Sequence, residues 1–254
     1  VLGPIFEADM PSEQYAYREG RSALDAVEAV NDWLYRGYTE VVDADLSGYF
    51  DSIPHAELMK SVARRVSDRH VLHLMKMWLE SPVEDTDEQG RKRRTTRNKD
   101  DGRGTPQGGV ASPLLANLYM RRFVMGWRKL GHERRLNAHI VNYADDFVIV
   151  TNPGGAEEAM AAMRTMMEKL RLTVNETKTR ICRMPEEIFD FLGYTFGRQY
   201  SRRDGRAYLG RRPGKKKICR ICGELSAATD RRTTWQDVRD LVSDLNEKLR
   251  GWSN

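Results

Sequence analysis

Two groups of carboxylates stand where the chain is otherwise apolar. In Val41-Val42-Asp43-Ala44-Asp45-Leu46 an extended backbone would send Asp43 and Asp45 out on one face. Tyr143-Ala144-Asp145-Asp146-Phe147 sets two adjacent carboxylates between β-branched runs, the pattern of a hairpin with an acidic tip. Carboxylates inside apolar strands are costly unless something positive neutralises them. Hard oxygen donors gathered in this way suit magnesium, which keeps several waters and binds substrate phosphates. Two such ions can stabilise both the attacking and the leaving oxygen of an in-line phosphoryl displacement. Acidic turns also often just face water, and Tyr-Ala-Asp-Asp alone leaves the two readings even.

The elements that must position these acids follow from period and punctuation. Ser22 caps a helix to about Tyr35, with Leu24, Val27, Val30 and Leu34 on one face and Gly37 past its end. Residues 40–46 read as a strand. Helices are expected over 54–66, opened by Pro54, and over 68–79, capped by Ser67. The polar stretch 82–104 reads as a loop or loose hairpin. Ser112-Pro113 starts a helix through about Trp127, and 138–151 is the acidic hairpin. A methionine-rich amphipathic helix spans 156–170, with Met160, Met163, Met166 and Met167 read as flexible core packing. Short strands are expected near 180–183 and 189–196. A last helix is capped by Thr234 with Asp237 three residues on, and Val238, Leu241, Leu245 and Leu249 form its buried stripe. Strands separated by helices, with one tight hairpin, predict an α+β fold whose antiparallel sheet is backed by helices.

Composition narrows the function classes. At 254 residues, 40% hydrophobic and 31% charged, the chain has an ordinary globular balance. No apolar run approaches the roughly 20 residues of a membrane span. Three cysteines argue against a disulfide framework and for a reducing cytoplasm. The net charge is only +5, but it is unevenly spread. Residues 91–103 hold seven basic side chains against two acidic ones, and 198–220 hold ten against Asp204 alone. Such concentration suits a polyanion such as nucleic acid, with a solvated basic surface as the alternative. The start at Val1 and the stop at Asn254, just after a helix-like segment, are those expected of a fragment.

The order of the surrounding segments adds more. Asp43-Ala44-Asp45-Leu46-Ser47-Gly48-Tyr49-Phe50-Asp51 resembles polymerase motif A of reverse transcriptases. The run Gly104-Thr105-Pro106-Gln107-Gly108-Gly109-Val110-Ala111-Ser112-Pro113-Leu114-Leu115-Ala116-Asn117 resembles their motif B in the long form typical of group II intron proteins. Tyr143-Ala144-Asp145-Asp146 is similar to motif C, Leu170 through Thr179 to motif D, and Phe191-Leu192-Gly193-Tyr194 to the primer grip. Five motifs in one order are a specific signal. Tyr17-Arg18-Glu19-Gly20-Arg21-Ser22-Ala23-Leu24-Asp25-Ala26-Val27 resembles the family's fingers, and 245–254 the opening of its thumb, the maturase region.

This resemblance to group II intron-type reverse transcriptases implies a palm with partial fingers over 1–38 and a motif A block over 39–80. It implies a basic loop with motif B over 81–128, the rest of the palm over 129–197, and a basic linker with the thumb base over 198–254. It implies RNA-directed DNA polymerisation with two Mg2+ ions, Mn2+ being a substitute. The partners would be an RNA template, a DNA or RNA primer and dNTPs. An intron RNA-binding splicing cofactor, with the parent group II intron RNA as partner, and a domesticated defence or CRISPR-associated enzyme are the alternatives. The first fingers block, the rest of the thumb and any DNA-binding or endonuclease domain are expected to lie outside this stretch.

Residue roles follow from the same resemblance. Asp45, Asp145 and Asp146 would hold metal together with Leu46, and Asp43 would be structural. Phe50 would be the gate against a ribose 2′-hydroxyl, with an ordinary core phenylalanine as the alternative. Gln107, Gly108 and Tyr143 would meet the nucleotide, the glycine by close backbone approach. Lys178 would donate a proton to leaving pyrophosphate, though a lysine after a helix is more often only solvated. Leu192 and Gly193 would position the primer end. Arg18 and Arg21 would touch the template, with a salt bridge nearly as expected. Arg211, Arg212, Lys215, Lys216 and Lys217 would meet nucleic-acid phosphates. Cys219-Arg220-Ile221-Cys222 is only half a zinc site, and the five histidines show no ligand spacing.

Overall fold

The structure is a computed structural model that describes residues 2–86, 92–106, 108–233 and 235–253. Its centre is an antiparallel sheet of β1 (Glu40–Ala44), β4 (Ala138–Tyr143), β5 (Asp146–Thr151) and β6 (Arg180–Arg183), in the order β4-β5-β1-β6. Strand alternation gives the sheet two different faces. Val42, Ala44, Ile140, Phe147 and Ile149 pack backwards with the buried residues of α4 (His55–Val62), α5 (Arg69–Leu79), α7 (Ser112–Lys129) and α9 (Ala156–Lys169). Val41, Val141, Val148 and Val150 pack forwards in a second cluster. That cluster includes Val27, Val30 and Leu34 of α2 (Ala23–Tyr35). It also holds Phe189 and Phe196 from a second sheet, β7 (Phe189–Phe191), β8 (Tyr194–Tyr200) and β9 (Ala207–Pro213).

The expected capping at Ser22 is present in full. Its hydroxyl accepts from the Asp25 amide at 3.2 Å, and the Asp25 carboxylate accepts from the Ser22 amide at 2.7 Å. The methionine stripe of α9 is buried as read: Met160, Met163, Met166 and Met167 all face the core. Glu40 is buried and accepts from the Ala156 amide at 3.1 Å, which puts a carboxylate at the start of α9.

Three local expectations change. The cap of α5 is Asp68 rather than Ser67, because its carboxylate accepts from both the His70 and Val71 amides, at 2.7 and 3.1 Å. The last helix, α11 (Val238–Ser253), starts later than expected. Asp237 accepts from the Arg239 amide at 2.7 Å in place of a cap by Thr234, which lies outside the described residues. The stretch 82–104 takes the hairpin alternative, pairing β2 (Val83–Thr86) with β3 (Lys92–Thr95), followed by α6 (Arg97–Asp101). The basic segment after Arg198 forms β8, β9 and the start of α10 (Lys215–Ala228) rather than a linker. Its pattern hides the strand because only Leu209 of β9 joins the apolar cluster.

These contacts set the scale of two truncations. Ser22→Ala should lower unfolding free energy by about 1 kcal/mol through the lost cap. Met163→Ala, which empties a fully buried position, should cost about 2–5 kcal/mol. Urea denaturation checks both, as a fall in midpoint at unchanged slope.

Candidate active site

Register decides where the acids meet. Ala44 lies opposite Phe147 and Asp43 opposite Val148, so the chain leaves β1 with Asp45 alongside Asp146. Pairing of β4 with β5 ends at Tyr143 opposite Asp146, which leaves Ala144 and Asp145 as a two-residue turn. Ala144 takes φ 58°, a conformation in which a glycine would be relaxed. Asp45 and Asp146 therefore lie on the front of the sheet, with Asp145 at the tip between them.

The titration of this group reflects crowding. Asp146 keeps an open side to solvent, yet its carboxyl is pushed up to about 6. The desolvating packing around it is the main cause, followed by the charges of Asp145 and Asp45, with Lys178 opposing. Asp43 is also pushed up to about 6 by burial, against the pull of Arg180, whose Nε stands 3.6 Å away. The Arg180 contact gives Asp43 a partner of its own, as a structural acid would have.

Asp45 has three close partners. Asn175 Nδ2 donates to its Oδ2 at 3.0 Å and Lys178 Nζ lies 3.4 Å from the same oxygen. The Asn175 amide donates to the Asp45 carbonyl at 2.8 Å, and the Asp45 amide donates to Thr179 Oγ1 at 3.3 Å. Leu46 is buried and bridges Val174, so what it can offer a cation is its backbone carbonyl. Among the described residues no three His, Cys, Asp or Glu side chains converge tightly enough to hold an ion as they stand. The donor set nonetheless fits a hard divalent cation. It is all oxygen, and desolvation together with the neighbouring Asp145 and Asp45 charges pushes the Asp146 carboxyl up, a penalty that a cation would relieve.

Phe50 lies on α3 (Tyr49–Ser52), half-buried, with its ring 5.6 Å from that of Tyr49 in an edge arrangement. Its carbonyl accepts from the Thr105 amide at 2.8 Å, and the Gly104 amide donates to the Ile53 carbonyl at 2.9 Å. The segment before α7 is thus stitched to the helix that carries Phe50. A Cβ on Gly104 would stand 3.2 Å from the Asp51 carbonyl oxygen, and φ is +91° there, so both space and conformation call for glycine. Gly108 is exposed at φ 80°, while Gln107 lies outside the described residues. A cleft of about 1040 Å³ opens beside this junction, lined among others by Gly48, Asp51, Arg97, Arg103 and Thr105.

The remaining expected residues divide. Leu192 and Gly193 form the turn between β7 and β8, at φ 50° and 78°. The Gly193 carbonyl accepts from the Gly214 amide at 2.8 Å, and Lys217 Nζ lies 4.6 Å from the Tyr194 ring centre. Arg212, Lys215 and Lys216 are exposed beside them, whereas Arg211 pairs with Glu28 at 3.1 Å. Arg18 takes the salt-bridge alternative. Its side chain is only 9% exposed, paired with Glu7 and donating to the Pro11 and Gln14 carbonyls. Arg21 donates to the Ser12 carbonyl at 3.0 Å and stacks over Tyr15.

Asn175, Arg180 and Tyr17 had no assigned role in the sequence reading. Tyr17, exposed at φ 54°, stands in the field of the acids. Its phenol is pushed up by burial, then by Asp145 and Tyr143. Asn175 sits inside a recognised motif, which was a signal available in the sequence, but its hydrogen bond to Asp45 crosses 130 positions.

Comparison with known proteins accords with this geometry. The family model described as reverse transcriptase (RNA-dependent DNA polymerase) matches residues 1–196. Protein YkfC of Escherichia coli is 31% identical over 238 residues, covering 80% of this chain and 59% of that protein. The group II intron-encoded protein LtrA of Lactococcus lactis is 28% identical over 120 residues, 47% of this chain and 18% of its own length. A telomerase from Candida albicans, solved with a fragment of telomeric RNA, superposes with a TM-score of 0.60 at 13% identity. That superposition covers 98% of this chain and 46% of the telomerase, and supports the polymerase palm fold. The chain thus spans between 18% and 59% of the length of these relatives, less than two thirds of each. With the family model matching more than half of its residues, the chain belongs to the reverse transcriptase (RNA-dependent DNA polymerase) family.

Proposed function

We propose that this chain carries the nucleotidyl-transfer centre of an RNA-directed DNA polymerase of group II intron type. The observation that carries the reading is the arrival of Asp45, Asp145 and Asp146 together on the front of one sheet, with Phe50 stitched to the segment before α7. Asp45, Asp145, Asp146 and the Leu46 carbonyl would hold two magnesium ions, with manganese as substitute. Bound there, the ions would supply Lewis-acid stabilisation of the attacking and leaving oxygens. Lys178, 3.4 Å from Asp45, is placed to carry a proton for the departing pyrophosphate. Gly108 would admit the nucleotide close to backbone, with Tyr143 meeting it too, and Leu192 and Gly193 would seat the primer end; Gln107, expected to join them, lies outside the described residues. The exposed bases Arg212, Lys215 and Lys216, with Arg211 and Lys217, face the phosphates of template and primer.

A second reading, an intron RNA-binding maturase, is favoured by the name of one relative, a nuclear intron maturase of Arabidopsis thaliana, 31% identical over 100 residues. The two activities are compatible in one chain. Among the described residues no helix is long and apolar enough to cross a membrane.

Asp45→Asn and Asp145→Asn should each reduce nucleotide addition to background while RNA binding stays near wild type. Primer extension and filter binding on the same preparations check this, and near-normal extension by Asp145→Asn refutes the assignment. Neutralising Arg211, Arg212, Lys215, Lys216 and Lys217 together should flatten the salt dependence of RNA binding. The log–log slope should change by about 0.7 for every phosphate that the variant no longer neutralises. A parental slope would make these residues a solvated face.

Phe50→Val should raise ribonucleotide over deoxynucleotide incorporation, mainly by admitting the ribonucleotide. If the ring served only packing, truncation to alanine would instead cost about 3–5 kcal/mol with sugar selection unchanged. Single-nucleotide incorporation with matched dNTP and rNTP, beside a melting curve, separates the outcomes.

A further inference from the structure

Behind the acidic turn, on the sheet face that packs against α7, lies a cluster of three buried amides. Gln14 and Asn142 are wholly buried and Asn117 nearly so, whereas their neighbours Ile140, Phe147 and Ile149 are apolar. Asn142 Nδ2 donates to the Ala144 carbonyl at 2.9 Å and to the Asp146 carbonyl at 3.3 Å. One side chain therefore spans both limbs of the turn that carries Asp145. Its Oδ1 accepts from Gln14 Nε2 at 3.4 Å, and Gln14 Nε2 also donates to the Asn117 carbonyl at 3.1 Å. Asn117 Nδ2 donates to the Ala16 carbonyl at 2.5 Å.

Backbone bonds close the same contact. The Asn142 amide donates to the Glu13 carbonyl and the Tyr15 amide to the Asn142 carbonyl, both at 2.9 Å. Gln14 bridges Asn142 in parallel, so residues 13–15 run as a strap along the free edge of β4. Arg18 ties that strap to Glu7.

Packing gives no reason for three amides here. Buried polar groups are costly unless fully bonded, and Gln14 Oε1 and Asn117 Oδ1 have no partner among the described residues. Apolar side chains of the same volume would be at least as stable. What the amides add is a fixed place for the two carbonyls flanking Asp145, next to an alanine at φ 58° that relaxation would release. Ligands that must hold a cation are characteristically oriented by such a layer behind them.

Resting on the polymerase reading, we propose that Asn142 is a positioning residue for nucleotide addition. Held by Gln14, it locks the Ala144–Asp145 turn so that the front carboxylates meet in one arrangement, and it couples that arrangement to the strap leading into α2.

The test compares Asn142→Ala, Asn142→Leu and Gln14→Ala with Val30→Ala, a truncation in the other core cluster. Asn142→Leu keeps the branched shape and loses the bonds, so it remains informative if the alanine variant folds poorly. Amide hydrogen exchange of residues 143–147, without metal or nucleotide, should quicken about 10-fold in both Asn142 variants, the worth of a missing hydrogen bond. Val30→Ala should leave those amides unchanged. In primer extension, kcat should fall about 10–100-fold and half-saturation by Mg2+ should move upward, with the KM for dNTP near wild type. The Gln14→Ala/Asn142→Ala double variant should be no worse than Asn142→Ala, because Gln14 acts through Asn142. Wild-type turn exchange and Mg2+ response in Asn142→Leu would overturn the proposal. If wild-type protein itself extends no primer, the polymerase reading fails, while the exchange data still decide whether the strap holds the turn.

Discussion

Like charges brought together at one end of an antiparallel sheet form the constraint around which the surrounding structure is arranged. The register between β1 and β5 sets Asp45 beside Asp146, and the tight turn adds Asp145. The raised titration of Asp146 expresses the resulting conflict between desolvation, mutual repulsion and a single nearby lysine. Such an arrangement persists only where apolar contacts elsewhere hold the strands in register. Here the back face supplies them, through Val42, Phe147 and Ile149 against helices that include α7 and α9.

The two faces are covered unequally, and function follows from that. The back is closed by helices. The front is covered by α2 and the second sheet around Val41, Val148 and Val150, while Asp145 and Asp146 remain exposed. The acids thus stay open on the side where Tyr17 and Lys178 stand, and the turn at Gly193 lies at one end of the second sheet. Positive charge next to that turn comes from the N-terminus of α10, which packs through Gly214 and Lys217. Basic residues that look like an undivided run in the chain are thereby sorted. Arg211 pairs with Glu28, while Arg212, Lys215 and Lys216 stay open to solvent.

Much of this was legible before any fold was known. Strand alternation put Asp45 on a face, β-branched runs around Tyr143–Phe147 announced the hairpin, and Ser22 with Asp25 announced a helix start. All three are local signals, set by neighbours within a few residues. The motif order also pointed to the family that the comparisons show. Local signals misjudged phase at Asp68 and Asp237, where the stronger acceptor lay a residue or more beyond the expected cap.

The chain by itself determined which residue types could do the chemistry and on which kinds of element they stand. Only the tertiary structure decided their partners. Asn175 reaches Asp45 across 130 positions and Gln14 reaches Asn142 across 128, distances over which no period or propensity carries information. The same holds for Arg18, whose two sequence readings were resolved by a loop that folds back onto Glu7. Nor could the sequence reveal β9, since an edge strand with one partly buried apolar side chain resembles a charged linker until its neighbour is in place. Side-chain type is written locally, but hydrogen-bond partnership and burial are properties of the packed chain.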